Sequence, residues 1–341
     1  MKVAVLGCGP AGAACAIQLA KAGVEVVMVD KQDFPRHTPG ETLHPGIEPL
    51  LKQLGVWQEV SHTNFIRHEG IISQRGDVES FTPYHEQENW QGFQFPRSQF
   101  DKILLDKAIA SGCEFVPNAT ATDIECEADL AKNISVQINH GQKSDKTLTA
   151  DYFIDATGKR AWLAKKMMTT WKNHGNKRIA YYGYVSPDPT LELSNPKMIW
   201  DDQGWTWLAR TQNDEISWVR LDLVAHCKRD KNWLPEQVFH CKAHGPRRAE
   251  DVTWRIADRV PMHNCFLVGD AAFVLDPASS HGVLKAIMSG MMVAHLLGSL
   301  DKTSLTNIQS AYNSWMNEWF SKDKKALTEL YADNIRYREV E

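Results

Sequence analysis

The chain lacks the signals that would take it out of the class of ordinary globular proteins. Its seven cysteines (Cys8, Cys15, Cys113, Cys126, Cys227, Cys241 and Cys265) are odd in number and scattered. With no C-x-x-C pair among them, no disulfide framework is expected, and a reducing cytoplasm fits best. A net charge of −4 without a Lys/Arg stripe offers no footprint for nucleic acid. The most apolar late stretch, Val283 to Leu300, is broken by Lys285, His295 and two glycines, so it reads as a buried helix and no membrane span is expected. Met1 passes straight into an apolar strand, so no signal peptide is expected either. His226-Cys227 and His240-Cys241-x-x-His244 supply metal-ligand types, and His240 and His244 are spaced to share a helix face. Neither H-E-x-x-H nor upstream paired cysteines accompany them, and no metal is assigned.

What is present begins at once. Lys2 to Leu6 is an apolar strand, Gly7-Cys8-Gly9-Pro10-Ala11-Gly12 follows, and Ala13 to Ala22 is a small-residue helix stopped by Gly23. A second strand, Glu25 to Val29, ends in Asp30 and Lys31. Gly7 makes the tight turn, Gly9 lets the backbone approach a pyrophosphate, and Gly12 lets helix pack on strand. Pro10 and Ala11 open the helix whose N–H groups would face the diphosphate. Asp30 is placed to accept hydrogen bonds from an adenosine ribose.

Further along, FPRHTPGETL is a polar loop, and Pro45 opens a helix running to about Leu54. Ser98 reads as an N-cap that holds Arg97 at a helix entrance. Short strands suggest a small β-meander between Ala121 and Thr149. After the strand Tyr152 to Ile154 comes Asp155-Ala156-Thr157-Gly158-Lys159, a small-residue loop where a doubly wound sheet receives its ligand. From Arg178 to Val224 the texture becomes alternating and aromatic, as in an antiparallel sheet. Twelve tryptophans are mostly explained by packing, but Trp205 and Trp207, two apart on one strand, share a face and are candidate pocket walls.

The stretch GDAAFVLDPASSHGVLKAIMSG presents a carboxylate, Asp270, at a strand end after Gly269, and a helix N-terminus a few residues later. Two ligand-facing turns so far apart in the chain imply an elongated dinucleotide, and FAD meets the demand. Its adenosine diphosphate takes the first turn, its ribityl hydroxyls meet Asp270, and its ring edge meets N–H groups near His281, Gly282 and Val283, with Pro277 bending the backbone beneath. The positive end of that helix would stabilise negative charge on reduced flavin.

GCGPAG with Asp30, FPRHTPGETLHPG, Arg97, DATG and VGDAAFVLDPASSHGV, in this order from Met1 to about Leu300, resemble the flavoproteins of the p-hydroxybenzoate-hydroxylase type, especially the branch with tryptophan-halogenase-like enzymes and geranylgeranyl reductases. The resemblance implies an α/β fold: a Rossmann-like FAD-binding domain with a parallel sheet and a small β-meander, an inserted antiparallel-sheet substrate domain, and a helical C-terminus. The FAD-binding parts are 1–64, 97–175 and 256–300, the substrate parts 65–96 and 176–255, and the C-terminal helices 301–341. It also implies that Arg36 and Gly40-Glu41-Thr42 approach the flavin, that Arg97 approaches the FAD phosphates, and that Lys31 and Gly158 join the cofactor set.

The ending AYNSWMNEWFSKDKKALTELYADN resembles that of the flavoproteins that mature tryptophylquinone-containing lysine and glycine oxidases. The implied activity is an FAD-dependent monooxygenase acting through a flavin C4a-hydroperoxide on an aromatic group, with a tryptophan of a partner quinoprotein oxidase precursor as substrate. Reduction would come from NAD(P)H or a separate flavin reductase. His44 and His281 are candidate proton carriers. The alternatives are a flavin-dependent halogenase, a prenyl-type double-bond reductase and a non-catalytic flavoprotein chaperone. Halogenases of this type share W-x-W-x-I-P and a relay lysine. Here Trp205-Thr206-Trp207-Leu208-Ala209 keeps both tryptophans and loses Ile-Pro, and FIRHEG, Phe65 to Gly70, offers no lysine.

Overall fold

Strand Lys2–Leu6 is buried almost throughout, as a strand covered on both faces by helices must be. In the computed structural model it lies at the centre of a five-stranded parallel sheet in the order Cys265–Leu267, Tyr152–Asp155, Lys2–Leu6, Glu25–Val29, Glu114–Val116. The structure describes residues 1–84, 90–126, 134–139, 146–188, 191, 193–212, 214–223, 229–230, 232–258 and 264–334. Helices Pro10–Lys21, Arg97–Ala110 and Gly282–Leu297 pack into the same apolar core as the sheet. The meander is Thr120–Cys126, Ile134–Asn139 and Lys146–Thr149, antiparallel throughout.

A separate seven-stranded sheet runs Ala243–Asp251, Ile179–Val185, Glu215–Asp222, Gly204–Gln212, Lys197–Asp201, Gly70–Arg75, Val78–Pro83. It is antiparallel except where Lys197–Asp201 runs parallel to Gly70–Arg75. One face buries Trp200, Trp205 and Trp207 with Trp254, Leu327 and Tyr331. The last two belong to a 30-residue helix, Leu305–Asn334. Its buried residues Ile308, Tyr312, Met316, Phe320, Asp323, Leu327 and Tyr331 recur every three or four positions and form one stripe. The Tyr312 hydroxyl donates to the Leu267 carbonyl at 2.6 Å, tying this helix to the edge of the parallel sheet.

Two local readings are corrected. The helix expected to be capped by Ser98 starts one residue earlier, at Arg97, with Pro96 in the cap position and no side-chain cap; Ser98 is therefore already inside the first turn. His240 and His244 do not share a helix. His244 lies in strand Ala243–Asp251, drawn into the sheet by pairing with Ile179–Val185, and its Nε2 is 2.6 Å from the Ser186 hydroxyl. His226 and Cys227 lie outside the described residues. Among the described residues no group of His, Cys, Asp and Glu has the geometry to hold a metal ion, and no helix is long and apolar enough to cross a membrane.

The helices Pro10–Lys21 and Gly282–Leu297 touch backbone to backbone at Gly290, where a Cβ would lie 2.1 Å from the Ala11 carbonyl oxygen and 3.0 Å from the Cys15 nitrogen. Substituting Gly290→Ala gains about 1 kcal/mol of helix propensity, but a clash with rigid backbone this close lies at or above the upper end of the usual overpacking cost of about 1–3 kcal/mol. The urea midpoint of Gly290→Ala is expected to fall; an unchanged or higher midpoint would contradict this packing.

Candidate active site

The site follows from where strands stop. Leu6, Asp155 and Leu267 end adjacent parallel strands, and the turns after them converge on one cavity of about 610 Å³. The first turn is very tight: Gly7 has φ +100°, and a Cβ there would lie 2.3 Å from the Ala156 oxygen of the DATG loop. Gly12 does not border the cavity; a Cβ on it would lie 2.0 Å from the Gly7 oxygen, so its place is in the packing of helix on turn. In the DATG loop Asp155 is buried and accepts from the Thr157 and Ala164 N–H groups and the Thr157 hydroxyl, which fixes the loop that carries Gly158. Burial raises its carboxyl, against those hydrogen bonds.

Gly9, Pro10, Ala11, Asp30, Lys31, Glu41, Thr42, Gly158, Gly269, Asp270, Pro277, Gly282 and Val283 all border the cavity, as do Arg36, Arg97, Trp205 and Trp207. Arg36 borders the cavity beside Asp30. Its Nη1 donates to Asp30 at 3.1 Å and its guanidinium lies over the Phe34 ring, so it belongs to the Asp30 end. Asp30 also accepts the Cys8 and Gln32 N–H groups, at 2.8 and 3.1 Å. Arg97 is buried, held by Asp101 through two bonds and donating to the Pro39 carbonyl at 3.0 Å. It thereby braces the loop of Gly40 and Glu41 from below.

His44 and His281 do meet, with ring centroids 4.9 Å apart, but neither borders the cavity; Ser280 and Gly282 do so instead. His44 Nδ1 accepts the Gly46 N–H, and its ring touches Tyr84, which in turn touches His68. Burial lowers His44, His68 and His281 to about 4.

Several participants had escaped notice in the sequence. Tyr184 donates to the buried Glu41 at 2.5 Å, joining the seven-stranded sheet to the Gly40-Glu41-Thr42 loop. Burial raises the Glu41 carboxyl, with the Tyr184 bond opposing. Asp276 accepts from the Trp254 indole and the Ala278 N–H and faces Arg178, whose guanidinium lies 3.9 Å over the Trp254 ring. The Trp205 indole donates to Tyr331 of the C-terminal helix at 3.0 Å. Lys285, in the first turn of Gly282–Leu297, is paired with Asp323 of helix Leu305–Asn334. Burial lowers its ammonium to about 7, with Asp276 and Asp270 opposing the shift, and the carboxylate of Asp323 lies in contact with it. A lone lysine in the apolar run GVLKAIMSG was the available signal.

The donor set can be tested against FAD. Gly9, which has no side chain, precedes one helix and His281, whose ring makes no capping bond, precedes the other, so the first N–H groups of both are left without a side-chain cap. Two helix starts with open donors thus border a single cavity, as a diphosphate and a ring edge require. Asp270 stands between them. Burial raises its carboxyl, and Lys159, Arg97, Arg255 and Lys285 oppose that shift; its oxygens can accept from hydroxyl groups.

Comparison with known proteins agrees. A family described as FAD binding domain matches residues 1–259. The chain belongs to this family. Its cofactor is FAD, which places it among FAD-dependent oxidoreductases. A tryptophan 2-halogenase of Chondromyces crocatus is 24% identical over 93% of the chain and 66% of its own length. A menaquinone reductase of Mycolicibacterium smegmatis is 25% identical over 94% of the chain and 81% of its own length. The chain spans about two thirds of the length of several halogenases it matches. Among solved structures, the myxobacterial chondrochloren halogenase CndH superposes with a TM-score of 0.85 at 19% identity, covering 97% of this chain and 82% of that one. The flavin-dependent brominase Bmp2 gives 0.81 at 20% identity, over 93% and 84%.

Two outcomes are expected. Asp270→Ala loses most of its bound FAD, and a folded variant with full flavin content would contradict the assignment of that carboxylate. The second concerns acid. Unfolded histidine titrates near 6.5, above the folded value of about 4, so the unfolded chain binds the extra protons between those values. The stability held by neutral, buried His68 is complete above the higher value and is lost as pH falls toward the lower. Wild type should therefore lose more Tm than His68→Gln between about pH 7 and about pH 5; parallel curves would contradict it.

Proposed function

We propose that the protein is a monooxygenase that acts on an aromatic group, a tryptophan carried by a partner polypeptide being the substrate class that fits best. The observation that carries this reading is the continuity of one cavity from the uncapped start of Gly282–Leu297 to the paired walls Trp205 and Trp207. FAD, when bound and reduced, supplies the activation of dioxygen. The chain's own residues do the rest: the helix start at Gly282 favours negative charge, Asp270 orients hydroxyls, and the buried tryptophan wall excludes water. Electrons come from NAD(P)H or a separate flavin reductase. The ending that resembles tryptophylquinone-maturing flavoproteins supports a quinoprotein oxidase precursor as the partner.

Halogenation is the second reading, favoured by relatives that carry that name, such as the tryptophan 2-halogenase. Against it stands the segment Trp205 to Ala209, which lacks the Ile-Pro of the halogenase pattern. The menaquinone reductase relative supports a reductase instead. The three are separated by supplying reduced flavin and air with a tryptophan-containing peptide, with and without bromide, and recording oxygen uptake and product mass. The proposal expects uptake coupled to a product gaining oxygen independently of bromide. A brominated product, or indifference of the reduced protein to oxygen, would overturn it.

A further inference from the structure

Lys285 occupies a position that helix stability does not explain. It stands in the first turn of Gly282–Leu297, where a cation opposes the helix dipole, and its side chain is 8% exposed. An ammonium is costly to bury unless paired. The pairing comes from Asp323, a buried carboxylate of helix Leu305–Asn334 that also faces His281 Nδ1 at 3.4 Å. Asp270 and Asp276 act on the same ammonium from the loop ahead of the helix, Lys322 faces His281 from the C-terminal helix, and the Phe273 ring lies 5.8 Å away. A leucine here would fill the space without desolvating a charge. The lysine nevertheless borders the cavity, on the helix whose start is assigned to the flavin ring.

We propose that Lys285 is a charge-compensating residue for the reduced flavin, and that Asp323 is the positioning residue that holds its ammonium toward the cavity. The inference rests on the assignment of the ring to the start of Gly282–Leu297. Oxidised FAD carries no charge on its ring and gains little from a nearby cation, whereas the reduced ring carries negative charge and gains more. The C-terminal helix thereby becomes part of the redox site.

The test is to measure the dissociation constants of oxidised and of reduced FAD, without oxygen, for wild type, Lys285→Gln, Lys285→Arg and Asp323→Asn. Lys285→Gln is expected to weaken the reduced form about tenfold more than the oxidised form, the size of one partly screened charge interaction. Lys285→Arg should return the ratio toward wild type, and Asp323→Asn should shift it in the direction of Lys285→Gln. Equal weakening of both forms in Lys285→Gln would make the lysine merely structural and overturn the proposal, as would an arginine variant with the glutamine ratio. Asp270→Ala, measured alongside, separates the two levels. If it leaves both constants unchanged, the seat itself is misassigned; if it weakens both while Lys285→Gln leaves the ratio flat, only the role of Lys285 fails.

Discussion

The approach of two helices at Gly290 is the contact on which the site depends. Pro10–Lys21 and Gly282–Leu297 are far apart in the chain, yet each begins with N–H groups that no side chain caps, and both starts border the same cavity. Bulkier packing between them would move the two starts relative to each other and change the span that one dinucleotide has to bridge. Small residues on Pro10–Lys21, with Ala11, Ala14 and Cys15 buried, complement Gly290 on the other helix. The price of this closeness is a backbone contact that accepts no side chain.

Around that pair, several buried charges are met by opposite charges, two close by in the chain and two from distant segments. Asp30 is met by Arg36, Arg97 by Asp101, Asp276 by Arg178, and Lys285 by Asp323. Two of these answers involve segments that secondary structure alone would treat as peripheral: the C-terminal helix and the segment before strand Ile179–Val185. Tyr331 extends the same logic, since its hydroxyl receives the Trp205 indole and its ring stacks on Trp254. The helix Leu305–Asn334 therefore packs behind the aromatic wall of the cavity and pairs with Lys285 at its edge.

The FAD-binding architecture was legible in the sequence because it is encoded locally. Glycine at fixed offsets after an apolar strand and an acid at the end of the next strand are features of neighbouring residues, and the Asp270 turn is of the same kind. The partners of those residues were not legible. Nothing in the sequence near Glu41 points to Tyr184, and Asp323 lies on a helix face whose other buried members are mostly apolar. Arg36 was expected near the flavin from the loop it belongs to, and its ion pair with Asp30 was not legible there. His44 and His281 were legible as neighbours of the site, but not as a pair turned toward each other behind its wall.

A structure of the FAD complex tests the central claim most directly. The account predicts the diphosphate against Gly9, Pro10 and Ala11, the ribityl chain beside Asp270, and the ring edge at Gly282 and Val283, facing Trp205 and Trp207. A ring found away from the start of Gly282–Leu297, with the diphosphate still at the first turn, would contradict it.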